Sequence, residues 1–141
     1  MKKLFVAIVV TMVMSTVLFP WISWAAVGRQ EMPAADKMMT VSAFNVDNNT
    51  VILTDVNGNQ TEVYLFGIYV SDCEMLNDYV GQKCFTRQDE TVSDGEYIIF
   101  PNGHLLQLEL MVIGAADMDP DFNGSMRQEF WECSVLRVYP E

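Results

Sequence analysis

The chain has 141 residues, 8 of them basic and 19 acidic, for a formal charge of −11 at pH 7. The first 25 residues hold two of the lysines and no acid, so residues 26–141 carry 6 basic against 19 acidic side chains. A surface this negative repels phosphate backbones at long range, which excludes a plain electrostatic nucleic-acid binder and leaves cationic, neutral or metal-bridged partners.

Lys2 and Lys3 precede the apolar run Leu4 to Phe19, Pro20 breaks any helix, and Ser23-Trp24-Ala25 puts small residues at the −3 and −1 positions of a cleavage site. This is the pattern of a secretory signal peptide over residues 1–25, with a mature chain starting at Ala26 in a periplasmic or secreted location. The rival is an uncleaved anchor, since a bilayer is spanned by about 20 apolar residues. The well-formed cleavage site favours removal, after which no stable membrane insertion is expected. Residues 26–37 are small, polar and proline-containing and read as a disordered leader. Residues 38–141 then make one domain of ordinary size.

Within the domain, Met38 to Val46 has a rough strand pattern and ends at the polar Asp47-Asn48-Asn49 turn. Thr50 to Thr54 is β-branched and apolar, Asp55-Val56-Asn57-Gly58-Asn59 is a turn, and Gln60 to Ile68 alternates. Asn-Gly between two such runs predicts a β-hairpin with positive φ at both central residues. Ser71 to Val80 is polar with room for a helical turn. Gly81 to Thr86 and Glu96 to Phe100 are further strands, the second stopped by Pro101-Asn102-Gly103, a turn of the same chemistry. Leu105 to Ile113 is ambiguous. Leu106, Leu108 and Leu110 alternate as a strand would, yet Leu, Met, Gln and Glu are good helix formers. Asp117 to Asp121 reads as an acidic loop. Gly124 to Glu132 predicts a helix capped by Ser125 with Phe130 and Trp131 facing the core, and Val135 to Pro140 is extended or irregular.

Cys73, Cys84 and Cys133 would meet an oxidising compartment, and the odd number leaves one thiol over. Three pairings are open. Cys73 with Cys84 closes a short loop and is favoured, with the third cysteine a buried thiol. There is no C-x-x-C, and His104, the single histidine, stands beside a turn, so the cysteines do not point to a metal.

The segments Asp47-Asn48-Asn49-Thr50 and Tyr64-Leu65-Phe66-Gly67-Ile68-Tyr69-Val70-Ser71-Asp72 have the frame and spacing of D-G-D-T and R-L-x-G-I-D-x-P-E. A second block, Gly95 to Gly103 followed by Leu110-Met111-Val112-Ile113-Gly114-Ala115-Ala116, has the frame of a strand, a turn and a helix ending in L-V-x-x-G-x-A. Together they resemble the staphylococcal nuclease family over roughly Val41 to Trp131. The resemblance implies a β-rich α+β fold, a small five-stranded OB-type barrel with one or two packed helices, in which Leu105 to Ile113 is helical.

The family's chemistry holds calcium on two aspartates and a carbonyl, orients water with a glutamate and neutralises the phosphate with two arginines. At the corresponding positions this chain has Asn49 for an aspartate, Tyr69 for the other, Asp72 for the glutamate, and Tyr64 and Asp94 for the arginines. The resemblance therefore implies a catalytically degenerate member, without cofactor, serving as a binding or accessory module. On such a barrel Tyr64, Phe66 and Tyr69 would lie on the ligand face, as an aromatic platform or as ordinary strand residues. Two other classes remain open. One is a calcium-dependent nuclease with a rearranged site on Asp47, Asp72 and Asp94, which requires those carboxylates to converge. The other is a structural envelope protein, which requires an exposed apolar patch or strand edge. Asp117, Asp119 and Asp121 recur like the start of a calcium loop, but Phe122 replaces its glycine and Gln128 its closing glutamate, so a solvated acidic loop is the better reading. Asp47 and Asp55 are read as turn residues bonding local backbone.

Overall fold

The computed structural model describes residues 37–140. The expected signal peptide and leader fall on residues that lie outside the described ones. In chain order the elements are β1 (Met39–Asn45), β2 (Thr50–Thr54), β3 (Gln60–Tyr64), β4 (Ile68–Val70), a 3-10 turn (Glu74–Tyr79), β5 (Lys83–Gln88), β6 (Glu96–Ile99), α1 (Leu106–Val112), β7 (Ala116–Met118) and α2 (Arg127–Leu136). Five strands form one antiparallel sheet in the order β3-β2-β1-β5-β6, and β4 pairs with β7 in a separate ribbon. Among the described residues no helix is long and apolar enough to cross a membrane.

The predicted hairpin forms in the expected register, Thr50 opposite Tyr64 and Thr54 opposite Gln60. Its turn differs from the one expected. Only Gly58, at φ 85°, takes positive φ, and Asn57 does not. The reason lies in Asp55, whose Oδ1 accepts the N–H of Asn57 at 2.8 Å and of Asn59 at 2.9 Å and stabilises a three-residue loop ending in a left-handed glycine. The second turn copies it, with Gly103 at φ 85° and Phe100 N–H bonded to His104 O at 2.9 Å, as Asp55 N–H is to Asn59 O at 2.9 Å. Pro101 presets the first loop position there.

The five strands do not close into the expected barrel, since β3 and β6 are two free edges of the sheet. One cause is visible on β6. Gln107, fully buried on α1, accepts the Ile98 N–H through Oε1 at 3.1 Å and donates from Nε2 to Glu96 O at 3.0 Å. Its amide stands where another strand's backbone would have paired. The expected continuous run Gln60 to Ile68 also breaks at Leu65 to Gly67, where Gly67 takes φ 88° and the chain leaves the sheet to begin β4.

Leu105 to Ile113 resolves as helix, and the alternation of its leucines is a coincidence of burial. Leu106, Leu108, Leu110 and Met111 are all inside because α1 is covered by β6 on one side and by α2, β4 and β7 on others, so no polar face is left to mark the period. They join Val41, Val51, Leu53, Leu65, Ile68, Ile98 and Phe130 in one core.

Toward the C-terminus four expectations are corrected. The final helix begins at Arg127 and runs through Val135 to Leu136, which were expected to be extended or irregular. Ser125 is not its cap, because its N–H and hydroxyl are drawn to Asp89. Phe130 is buried as expected, but Trp131 is 54% exposed, since the adjacent residue on a helix points away from the face that Phe130 occupies. Part of the acidic loop is strand: Asp117 lies in β7 opposite Tyr69.

The expected Cys73–Cys84 bridge is absent: Cys73, Cys84 and Cys133 are free thiols. Cys84 lies buried in the sheet opposite Met39, whereas Cys73 is only partly covered ahead of the 3-10 turn. Burial pushes the Cys84 thiol up to about 11, which suppresses the thiolate that exchange requires.

Candidate functional site

The positions that the family resemblance singles out fall into three separate surroundings. Asn49 ends the β1–β2 turn with φ 56°, a left-handed conformation that Asn tolerates. Its Nδ2 donates to Ile68 O at 2.7 Å and its Oδ1 accepts the Val70 N–H at 2.8 Å. Its own carbonyl takes the Leu65 N–H at 2.9 Å. The residue is thus a staple that holds the start of β4 against the sheet. A carboxylate could not do this, having no donor for the Ile68 carbonyl.

Asp47, Asp72 and Asp94 are all exposed, in three different loops. Among the described residues no three His, Cys, Asp or Glu side chains form a group able to hold a metal ion, so these carboxylates do not share a site. With an amide at Asn49 and a phenol at Tyr69, the donors at the family's calcium positions do not fit that ion, which takes six to eight oxygens.

The aromatic platform divides. Phe66 is partly buried and packs against the core, edge-on to Phe122 at 5.0 Å and tilted on Tyr97 at 5.7 Å. Gly95 and Gly124 press on its ring so closely that a Cβ added at either would lie within 2.8 Å of it. Tyr64 and Tyr69 instead remain in solvent, 46% and 50% exposed. They are near each other and near the turn after β7. The charge of Asp119 raises the Tyr69 pKa first, helped by a little burial, by Tyr64, by a hydrogen bond with Asp119 and by Asp121. Asp119 is fixed by the turn, its Oδ1 accepting the Asp121 N–H at 2.9 Å and its backbone N–H donating to Gly67 O at 2.9 Å. At the rim Arg137 pairs with Asp117 at 2.9 Å. Two exposed aromatic rings edged by carboxylates suit a cationic group, which gains from both the ring faces and the charge.

Two clusters escaped the sequence reading. Asp89, 6% exposed, accepts on Oδ1 the N–H groups of Thr91 (2.7 Å) and Val92 (2.9 Å) and the Thr91 hydroxyl (2.8 Å). On Oδ2 it accepts the Tyr97 hydroxyl, the Ser125 N–H (2.8 Å) and the Ser125 hydroxyl (2.9 Å). Burial alone would raise its pKa, but the donors outweigh burial and hold it well below the usual carboxylate range. Asp89-x-Thr91 is a local Asx-turn signal that could have pointed to it.

The second cluster surrounds His104, whose ring stacks on Tyr139 at 3.9 Å while Nδ1 lies 3.1 Å from Glu109 Oε1. Glu109 also meets the buried Tyr79, whose pKa is raised to about 12, first by burial and then by that carboxylate. Asp89 and His104 are thus each engaged by neighbouring side chains.

Comparison with protein-family models, curated proteins and solved structures finds no match to this chain.

Proposed function

We propose that the chain is an exported OB-type domain similar to the staphylococcal nucleases, inactive as a nuclease, that binds a cationic ligand on the Tyr64–Tyr69 face. The strand order supports the OB reading. The meander β1-β2-β3 continues through β1 to β5 and β6, as in a five-stranded, partly open Greek-key barrel, and the gap falls between β3 and β6. The signal-like N-terminus supports export to the periplasm or beyond.

The observation that carries the functional half is the use made of Asn49. The position that would supply a calcium carboxylate is an amide committed to two backbone partners. Tyr69 next to Asp119 turns the same end of the domain toward positive charge. A structural role in the envelope is a second reading, favoured by the exposed apolar side chains on α2.

The test has two arms. The purified chain, incubated with single-stranded DNA and RNA in calcium or chelator, is expected to leave both intact. In calorimetry it is expected to bind a polyamine such as spermidine, with Tyr69→Ala weakening binding about tenfold. Calcium-dependent cleavage that disappears in Asp72→Ala would overturn the inactive reading. Polyamine affinity unmoved by Tyr69→Ala would overturn the binding face.

A further inference from the structure

Asparagine followed by glycine occurs three times, at Asn57-Gly58, Asn102-Gly103 and Asn123-Gly124. Such a pair is open to loss of the asparagine amide, because a glycine nitrogen with no Cβ beside it can swing onto the preceding side chain. All three asparagines are exposed, but only one of the glycines is. Gly58 stands in solvent, and a Cβ placed on it would meet nothing within 4 Å. Gly103 is buried. Gly124 is buried under two rings, where a Cβ would lie 2.5 Å from Phe122 and 2.8 Å from Phe66.

The two turns of like shape also differ in what holds them. In the second, position 100 is Phe, so Asn102 supplies the missing acceptor itself, its Oδ1 taking the His104 N–H at 2.9 Å. In the first, Asp55 takes that part by accepting the Asn59 N–H at 2.9 Å, and the Asn57 amide has no hydrogen bond among the described residues. The Gly58 N–H donates to Asp55 O at 3.1 Å and the Gly103 N–H to Phe100 O at 2.8 Å, so attack in either turn waits on the loop opening. The first turn leads into β3, an edge strand whose Gln60, Thr61 and Glu62 are exposed. The second lies between the buried Phe100 and Leu105, with the Leu105 N–H bonded to the Tyr139 hydroxyl and His104 stacked on the same ring. A turn at an exposed edge opens more often than one tied into the core.

We propose that Asn57 is a site of spontaneous deamidation, through which the chain ages irreversibly at the β2–β3 hairpin, while the fold protects Asn102 and Asn123. The Gly58 nitrogen, its proton lost to solvent base, attacks the Asn57 Cγ. The new N–Cγ bond closes a cyclic succinimide, the Cγ–Nδ2 bond breaks and Nδ2 leaves as ammonia. Water then opens the ring at either carbonyl, leaving an aspartyl or an isoaspartyl unit at position 57. Either product puts a new carboxylate beside Asp55, and the isoaspartyl form also adds a methylene to the backbone of a loop whose N–H groups Asp55 holds. The hairpin is therefore loosened by the reaction. This stands apart from the cation-binding reading, because it uses neither Tyr64 nor Tyr69.

The test is peptide mapping by mass spectrometry of the chain expressed with its own N-terminus, aged in mildly alkaline buffer, folded or unfolded in urea. In the folded chain a gain of about 1 Da, NH exchanged for O, is expected at Asn57. It is expected to appear there at least about tenfold faster than at Asn102 or Asn123, the difference made by local protection. In urea the three sites are expected to convert at comparable rates. Asn57→Gln, exposed and unable to close the same ring, is expected to remove most of the gain from the folded chain and to leave circular dichroism unchanged. Aged chain is expected to show faster amide exchange across the β2–β3 pair. Conversion at Asn102 or Asn123 that keeps pace with Asn57 in the folded chain overturns the proposal. So does an Asn57 that stays intact while the urea sample converts, or a preference for Asn57 that persists undiminished in urea.

Discussion

Asp89 shows how one side chain can hold together parts of the chain that no helix or strand connects. Three donors converge on each of its oxygens, from the loop after β5, from β6 and from the loop before α2. Because its native pKa lies below the unfolded value of about 3.9, the native state gains stability from its ionised form. That gain is complete above the unfolded value and is lost as pH falls toward the native one. Asp89→Asn is expected to cost about 3 kcal/mol at neutral pH, the scale of charge-assisted hydrogen bonds replaced by poorer ones. It is also expected to flatten the acid limb of the stability curve below about pH 4. Urea titrations at neutral and acid pH measure both, and an unchanged acid slope would show that Asp89 does not carry it. Tyr97 shares the arrangement from the other side, its phenol pushed upward by burial and by the Asp89 charge.

At the scale of elements, the helices depend on partners far away in sequence. α1 opens at Leu105 with no side-chain cap, and the Leu105 N–H donates instead to the Tyr139 hydroxyl at 2.7 Å. The last residues of the chain thereby finish the start of a helix 34 positions earlier, with His104 stacked over the same ring. Tyr139→Phe keeps the stacking and removes the acceptor. It is expected to cost about 1 kcal/mol, the usual net worth of such a bond, and to speed amide exchange at Leu105. Thermal melting with hydrogen exchange separates this from a packing effect, which would lower stability without singling out that amide. The open sheet obeys the same logic, since Gln107 occupies β6 and so denies that edge to β3.

For the whole molecule the governing quantity is charge. Residues 37–140 hold sixteen acidic side chains against five basic ones. Ion pairs are few among the described residues, with Arg87–Glu90 and Arg137–Asp117 exposed and His104–Glu109 partly covered. Exposed pairs contribute little, so self-repulsion outweighs them. Stability is therefore expected to rise as ionic strength goes from about 0.01 M to about 0.15 M and the screening length shrinks from about 30 Å to about 8 Å. A melting temperature that falls over that range would mean that attractive pairs dominate.

What the chain determines by itself is set by near neighbours. The places of the two Gly-ended turns, the hairpin around the first and the strands beside them were legible because Asp55, Asn57-Gly58 and Pro101-Asn102-Gly103 act on their own backbone, although the conformation expected at Asn57 was not the one formed. Composition alone gave the acidic surface, and the resemblance, more than the periodicity, favoured a helix at Leu105 to Ile113. Tertiary structure decided the rest. Phe66 and Tyr69 look alike in a strand, but only packing puts Phe66 between Gly95 and Gly124 and leaves Tyr69 beside Asp119. Asn49 reads as a lost ligand until Ile68 and Val70 arrive to bond it, and Cys84 reads as half of a bridge until the sheet closes over it. Each of these outcomes rests on groups brought together across many residues, and a side chain's identity does not encode which of its possible partners the fold will deliver.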